Sequence, residues 1–338
     1  MAQIITRIKE DLHNNWQKEL GNVVTDPKQL LEMLSISPEK YHQDFKARQL
    51  FPVRVPRPFI NRMQIGNIND PLLKQVLSDR REFIETPGYV TDPLEEHDTV
   101  AEGLLHKYES RVLMIVKSGC AVNCRYCFRR HFPYEDNSPN KQRWQQALTY
   151  IKENQSLNEV IFSGGDPLMA NDQHLGWLIK QVEDIPHIKR LRIHSRLPIV
   201  IPARVTDALV TALETSRLQT IMVLHTNHAQ ELDSSVKLAV SKMKQADITV
   251  LNQAVLLKGV NDTVADQVNL CEALFDFGVL PYYLHQFDPV QGASHFDVDI
   301  EEAREIAKGM MAKLPGFLMP KLVKEIAGEA NKTPINLA

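Results

Sequence analysis

Short apolar runs alternate with longer amphipathic stretches from Arg111 onward, a pattern that few folds accommodate. Many of the runs are rich in β-branched residues, which favour strands, and the stretches between them repeat apolar residues at helical spacing. Strand–helix alternation predicts a parallel sheet with right-handed crossovers, and six units fit an open, partial TIM-type (β/α)6 barrel of the α/β class. The predicted strands are 111–116, 159–162, 190–193, 220–224, 248–257 and 279–284, and the predicted helices include 172–184, 204–216, 234–246, 264–277 and 300–313.

The sequence before this alternation has a different character. Helical patterns there are mixed with proline-rich connections, and the run at 51–58 predicts an extended strap. We therefore expect three parts in the chain. They are a helical N-terminal region and strap at 1–105, the partial barrel at 106–314 and a C-terminal segment at 315–338.

Charge and hydropathy argue against several classes of protein. The 39 basic and 42 acidic residues give a formal net charge of −3, and no long block of one sign is present. A nucleic-acid binder driven by electrostatics is therefore not expected.

No apolar run approaches the ~18–20 residues needed to span a bilayer. Charged residues also interrupt any signal-peptide core near the N-terminus. We expect no nucleic-acid or membrane partner and a cytoplasmic location.

Three of the four cysteines lie within eight residues, directly after the first predicted strand, as Cys120, Cys124 and Cys127. So few cysteines cannot build a disulfide scaffold in a chain of 338 residues, and their clustering indicates metal in a reducing compartment. Three thiolates on one loop can ligate three irons of a [4Fe–4S] cluster and leave the fourth iron open. An open iron can chelate S-adenosylmethionine, whose reductive cleavage yields an adenosyl radical. The motif therefore predicts a partial barrel of the radical S-adenosylmethionine class.

A structural zinc site is the competing interpretation of the same cysteines. Zinc normally takes four ligands, often as two spaced pairs. The remaining cysteine, Cys271, stands alone in a predicted helix, where the role of a small buried apolar residue suits it better. A non-catalytic zinc-binding regulatory protein stays open as an alternative, and metal analysis would separate the two.

Polar residues follow every predicted strand. Barrel enzymes build their active sites from the loops at the carboxyl ends of the strands, although polar turn residues are common there in any protein. A glycine pair after the second strand would let the backbone approach the methionine end of the cofactor. The expected cofactor-binding residues at these exits are Ser163, Gly164, Gly165, Asp166, Ser195, His225, Asn227 and Gln253.

From about 68 to 334 the sequence resembles the lysine 2,3-aminomutases, especially the short bacterial form that supplies β-lysine for modifying elongation factor P. The resemblance implies a radical S-adenosylmethionine isomerase that also uses pyridoxal phosphate and converts L-α-lysine into β-lysine. The motifs that carry it are CAVNCRYCFRRHF at 120–132, FSGGDPL at 162–168, RIHSRLPIVIPARVT at 192–206, HTNH at 225–228, NQAVLLKGVND at 252–262 and PYYLHQFDPVQGASHF at 281–296.

The resemblance also implies which residues hold pyridoxal phosphate. The family binds this cofactor covalently through a lysine near the C-terminus that is followed two places later by proline, and Lys332 fits that pattern. The amine of such a lysine condenses with the cofactor aldehyde and is displaced by the substrate amine. Arg111 aligns with a family residue that contacts the cofactor.

For the substrate, the resemblance implies that Arg129 holds the lysine carboxylate and that Asp288 receives the ε-ammonium group, each through a charge-assisted pair. The long form of the family has a second aspartate in a glycine-rich stretch that this chain lacks. Glu325 or Glu329 is expected to replace that aspartate, and the sequence does not choose between them.

The short form implies further expectations about partners. They are an external electron donor, (R)-β-lysine as the product, a functional link to elongation factor P and its lysyl ligase, and possible homo-oligomerisation. The alternatives are a catabolic lysine 2,3-aminomutase, an aminomutase for another amino acid and a radical enzyme of another type. Asp288 favours lysine among amino acids, because it offers an anion to a cationic side chain.

Overall fold

The computed structural model describes residues 15–97, 103–133 and 140–337. Within these ranges one nine-stranded sheet follows the order of the chain from β1 to β9. Its edges are therefore the first and last strands, and the barrel is open. The strands are β1 (Leu104–Tyr108), β2 (Arg111–Lys117), β3 (Glu159–Gly164), β4 (Arg190–Ser195), β5 (Gln219–His225), β6 (Thr249–Val255), β7 (Leu280–His285), β8 (Lys321–Lys324) and β9 (Thr333–Pro334).

The six predicted strands are confirmed as β2 to β7, and each of them pairs in parallel with the next. The helices are α1 (Asn15–Gly21), α2 (Pro27–Met33), α3 (His42–Phe45), α4 (Arg57–Ile60), α5 (Pro71–Lys74), α6 (Lys141–Glu153), α7 (Asp172–Glu183), α8 (Leu197–Val200), α9 (Asp207–Glu214), α10 (Ser234–Gln245), α11 (Val264–Asp276) and α12 (Ile300–Met311). Short 3₁₀ helices lie at Pro38–Tyr41, Lys46–Gln49, Arg80–Phe83, Pro167–Met169, Pro202–Arg204, Ala229–Glu231, Ser294–Phe296 and Gly316–Leu318.

The helices between the strands begin where a capping side chain precedes an apolar repeat. Asn171, Thr206, Asp233 and Thr263 each accept a hydrogen bond from a backbone N–H in the first turn of the following helix. Such caps satisfy donors that the helix itself leaves unpaired. The apolar faces of these helices pack on the outer side of the sheet, which is the α/β layering expected from the alternation.

Three strands were not predicted from the sequence. β1 pairs antiparallel with β2, while β8 pairs in parallel with β7 and antiparallel with β9. The last two strands are too short to show a period-two pattern. The expected division at 105/106 and 314/315 stays a prediction, although β1 begins at Leu104 and strands from the C-terminal segment continue the same sheet.

The expected extended strap at 51–58 is shorter than predicted, because α4 begins at Arg57; the segment 51–56 lies against the loop that carries the cysteines. The backbone carbonyl of Phe51 accepts a hydrogen bond from Arg125 Nη1 at 2.6 Å, and that of Arg54 accepts one from the Asn123 N–H at 3.0 Å. Helices α1 to α5 lie within 1–105, of which residues 1–14 and 98–102 lie outside the described ranges, and a separate helical N-terminal region there stays a prediction. In the described part of the chain, no helix is long and apolar enough to cross a membrane.

Candidate active site

A cavity of about 630 Å³ lies inside the open barrel. Alternate side chains of a strand face it, as Arg192 and His194 of β4 do, whereas Leu191 and Ile193 are buried in the apolar core. One cavity thus collects side chains from β2 to β7 and from the C-terminal segment. The expected site residues that line it are Arg111, Cys120, Cys124, Cys127, Arg129, Ser163, Gly164, Gly165, Asp166, Ser195, His225, Gln253, Asp288 and Lys332.

The three cysteines follow β2 on one loop and are half-buried. Burial, with Asp166 and the other thiols nearby, raises the pKa of Cys120 well above its ordinary value, and burial raises that of Cys127 to about 11. A bound metal cation would deprotonate the thiols and so offset the cost of burying them as thiolates. In the described part of the chain, no three His, Cys, Asp or Glu side chains converge on a single ion. A [4Fe–4S] cluster is compatible with that arrangement because its cysteines bind three separate irons.

Two arginines of the cysteine loop anchor it to the N-terminal region. Arg125 Nε donates to Glu82 Oε1 at 2.8 Å, and Arg130 Nη2 donates to Glu82 Oε2 at 2.7 Å. All three side chains are fully buried. Removing one of these partners would leave an uncompensated buried charge, at a cost of about 3–5 kcal/mol, so the placement of the loop depends on all three side chains.

Glycines at 164 and 165 let the exit of β3 touch the start of the cysteine loop. A Cβ on Gly164 would lie 2.3 Å from the Lys117 carbonyl oxygen, and a Cβ on Gly165 would lie 2.6 Å from that of Gly119. Gly164 also has a φ of +123°, which L side chains rarely adopt. The Gly165 N–H donates to Lys117 O at 2.7 Å. The glycine pair therefore fixes the cysteine loop through backbone contact, which the sequence reasoning did not anticipate.

Asp166 and Ser195 line the cavity and are hydrogen-bonded to each other. The Asp166 carboxylate accepts hydrogen bonds from Ser195 Oγ at 2.8 Å and from the Arg196 N–H at 2.9 Å. It also accepts from the Leu168 N–H at 3.0 Å. Burial raises the pKa of Asp166 despite these donors. The pair joins the exits of β3 and β4, and its expected contact with cofactor stays a prediction.

The exit of β5 meets the cysteine loop at Tyr126. Its hydroxyl lies 2.7 Å from His225 Nε2 and accepts a hydrogen bond from Asn227 Nδ2 at 2.7 Å. Burial, with Arg196 nearby, lowers the pKa of His225 to about 3, so this imidazole is neutral. His225 and Gln253 line the cavity, whereas the Asn227 side chain is buried behind it. A cofactor contact by Asn227 stays a prediction.

Arg129 lies on the cavity wall beside a carboxylate from the N-terminal region. Its Nε donates to Glu96 Oε2 at 2.5 Å, and its Nη1 lies 3.3 Å from Ser163 Oγ. Glu96 also pairs with Lys107 at 2.8 Å. Burial alone would raise the pKa of Glu96, but the two cations outweigh it and hold that pKa below its ordinary value.

Lys332, which immediately precedes β9, lies in a second cluster of charged side chains. Lys332 Nζ pairs closely with Glu325, and Tyr108 Oη donates to the same carboxylate at 3.0 Å. Burial alone would raise the pKa of Glu325, but Lys332 and Lys107 hold it at about 2. Asp288 faces the same part of the cavity, where burial and the nearby Glu325 raise its pKa to about 7.

Arg111 and Arg192 line the cavity near Tyr283. Burial and the Tyr282 hydroxyl raise the pKa of Tyr283 to about 12, while these two arginines act in the opposite direction. Arg192 Nε and His194 Nε2 are buried and have no hydrogen-bond partner among the described residues. Buried polar nitrogens of this kind normally have a partner, and an anionic oxygen can accept from Arg192 Nε and from His194 Nε2 in the tautomer that protonates it.

Several residues of this cavity were not selected from the sequence, among them Glu96, Lys107 and Arg192, whereas His194 and Arg196 were placed at a polar strand exit without an assigned role. Arg192 and His194 did carry a signal, because they alternate with apolar residues within a predicted strand. Glu96 carried no such signal, because it reaches the cavity only when the N-terminal region packs against the barrel. Of the two expected glutamates, Glu325 lines the cavity, whereas Glu329 is exposed.

Comparison with known families agrees with this site. The profile of the Radical SAM superfamily matches residues 114–269, which include the cysteine loop and the strands from β3 to β6. The protein is therefore a radical S-adenosylmethionine enzyme, a class that uses an iron–sulfur cluster and S-adenosylmethionine.

Curated relatives narrow the class. The chain is 54% identical to the L-lysine 2,3-aminomutase of Escherichia coli (strain K12) over 338 residues, which cover 100% of this chain and 98% of that protein. It is 52% identical to that of Haemophilus influenzae, with 94% and 95% covered, and 30% identical to that of Clostridium subterminale, with 95% and 78% covered. The chain belongs to the lysine 2,3-aminomutase family.

Replacing Gly165 by alanine tests whether close backbone contact fixes the cysteine loop. The new Cβ would force the backbone at Gly119 to move, so Gly165→Ala should bind several-fold less iron and sulfide than the unchanged protein after anaerobic reconstitution. Gly176→Ala in α7 is the control, because no neighbouring atom lies within 4 Å of a Cβ there. It should keep its iron and gain about 0.5–1 kcal/mol of stability. Full iron binding by Gly165→Ala would contradict the assignment.

Proposed function

We propose that this protein isomerises L-lysine to β-lysine in the barrel cavity. The observation that carries the proposal is that the three cysteines, Arg129, Asp288 and Lys332 all line one cavity. The cysteines would hold the cluster, which would supply the electron for radical chemistry on S-adenosylmethionine. The residues of the chain supply position and exclusion of water, which are the main contributions of a protein to such chemistry.

In this proposal Arg129 binds the lysine carboxylate and Asp288 the ε-ammonium group. The planar guanidinium suits a carboxylate, and its Nε is already oriented by Glu96. Asp288 lies near Glu325, so an ammonium group between them would offset two carboxylates. We assign Glu325 rather than Glu329 as the second acidic partner, because Glu329 is exposed.

We further propose that pyridoxal phosphate binds at Lys332. Its phosphate would meet Arg111 and Arg192, and His194 Nε2 would donate to an oxygen of the same cofactor. Two buried, unpartnered nitrogens in the cavity, Arg192 Nε and His194 Nε2, support this fit. The cofactor, when bound, supplies a pyridine ring that delocalises an unpaired electron. The carboxylate of Glu325 pairs with Lys332 Nζ and would orient this amine.

The product is proposed to be (R)-β-lysine, which a separate ligase attaches to elongation factor P. An external donor would supply the electron for the cluster. Support comes from the motifs shared with the short bacterial form and from the absence of the glycine-rich stretch of the long form. The cytoplasmic location and a possible homo-oligomer belong to the same proposal.

The pH dependence of lysine binding tests the role of Asp288. A carboxyl group with a pKa of about 7 is protonated below that pH and cannot attract an ammonium group. The KM for lysine should therefore rise about tenfold for each pH unit below 7. Asp288→Asn should raise KM by roughly thirtyfold to several thousandfold, the equivalent of ~2–5 kcal/mol, and should abolish this pH dependence.

A matched pair of variants provides the control for that measurement. Glu325→Gln should also weaken lysine binding, whereas Glu329→Gln, at the exposed position, should leave KM unchanged. All of these variants should retain the cluster. Unchanged lysine kinetics in Asp288→Asn would show that the ammonium group is bound elsewhere.

Deleting the gene tests the proposed biological role. Elongation factor P from the deletion strain should lose the mass of one lysyl group, because the ligase lacks its substrate. Feeding (R)-β-lysine should restore that mass, and feeding the S isomer should not. An unchanged mass spectrum in the deletion strain would exclude the role and favour a catabolic β-lysine pathway.

A further inference from the structure

Arg196 brings a guanidinium group into contact with one cysteine of the proposed cluster site. Its Nη1 donates to Cys124 Sγ at 2.8 Å and to Tyr126 Oη at 2.5 Å. The residue is only 6% exposed, so these contacts are shielded from water. Neither the sequence motif nor the proposed substrate contacts assign a role to this arginine.

The position of Arg196 is fixed on its other side. Nη2 donates to Gln75 Oε1 at 2.7 Å and to Glu231 Oε2 at 3.1 Å. Glu231 is fully buried and also accepts hydrogen bonds from the Asn227 N–H at 3.0 Å and from Gln75 Nε2 at 3.2 Å. These hydrogen bonds hold the guanidinium in contact with Cys124 before any cluster binds. Little conformational entropy is therefore lost by this side chain on cluster binding.

We propose that Arg196 is a positioning residue that raises the reduction potential of the cluster through its N–H···S hydrogen bond to Cys124. Reduction adds negative charge to the cluster and its thiolates. A charged donor aimed at a ligating sulfur stabilises the reduced state more than the oxidised state, and hydrogen bonds to the sulfurs are among the factors that set such potentials. The cluster thereby accepts an electron more readily from its donor.

This inference rests on the proposed cluster site at the three cysteines, and the two can fail separately. If the unchanged protein assembles no [4Fe–4S] cluster, the site assignment fails. If the cluster assembles but its potential does not depend on Arg196, only the present inference fails.

The test is a potentiometric titration of the reconstituted enzyme, followed by electron paramagnetic resonance without S-adenosylmethionine so that no electron is consumed. Arg196→Met should make one-electron reduction at least about tenfold less favourable, a shift of 59 mV toward more negative potential. Arg196→Lys keeps the positive charge but lacks the planar array of guanidinium donors. Its midpoint reduction potential should therefore lie between those of Arg196→Met and the unchanged enzyme.

Arg204→Met is the matched control. Arg204 is another fully buried arginine, but it donates to the carbonyl oxygens of Leu168 and Ala170. This variant should leave the potential unchanged. An unchanged potential in Arg196→Met, or an equal shift in Arg204→Met, would overturn the inference. If Arg196→Met loses its iron, Arg196→Lys decides, and an unchanged potential or loss of iron there would also overturn it.

Discussion

Glu82 is a buried carboxylate from the N-terminal region that is bound by two arginines of the cysteine loop. Arg125 also donates to the strap at Phe51, and Arg130 Nη1 donates to Gly292 O at 2.8 Å in the loop after β7. One carboxylate thus joins the strap, the cysteine loop and the far side of the barrel. Buried charges are stable only when every partner is present, so correct folding of the N-terminal region and correct placement of the cysteines are coupled.

The same dependence on paired charge extends across the cavity. Arg129, Glu96, Lys107, Glu325 and Lys332 form a chain of alternating charge from one proposed substrate contact to the proposed cofactor lysine. In the absence of ligands, each of these side chains is therefore paired with a side chain of opposite charge. In the proposed binding mode, a substrate carboxylate would meet Arg129 at one end of this chain, and the distant ammonium group would meet Glu325 together with Asp288.

The sequence was sufficient for the regular part of this architecture. β2 to β7 could be predicted because each carries a run of apolar residues long enough to show its type, and the cysteines could be predicted to form a site because their spacing is local. β8 and β9 could not, since their few residues gain strand geometry only by pairing with β7 and with each other. Lys332 was selected only through family resemblance.

Contacts between distant segments were likewise beyond the reach of the sequence. Glu96 could not be placed beside Arg129, because 33 residues separate them and no periodicity links the two. The close backbone contacts of Gly164 and Gly165 were also not predicted. Both glycines line the cavity, so their expected contact with cofactor stays a prediction, but a Cβ on either would meet the backbone where β2 leads into the cysteine loop.

The central claim is that substrate and pyridoxal phosphate meet at Lys332 inside the barrel. Borohydride reduction of the holoenzyme, followed by peptide mapping, tests it most directly. The account predicts a pyridoxyl label on Lys332 in the absence of substrate, and its transfer to free lysine when L-lysine is added before the reductant. A label on Lys321 or Lys324, or a label on Lys332 that added lysine does not displace, would contradict the account.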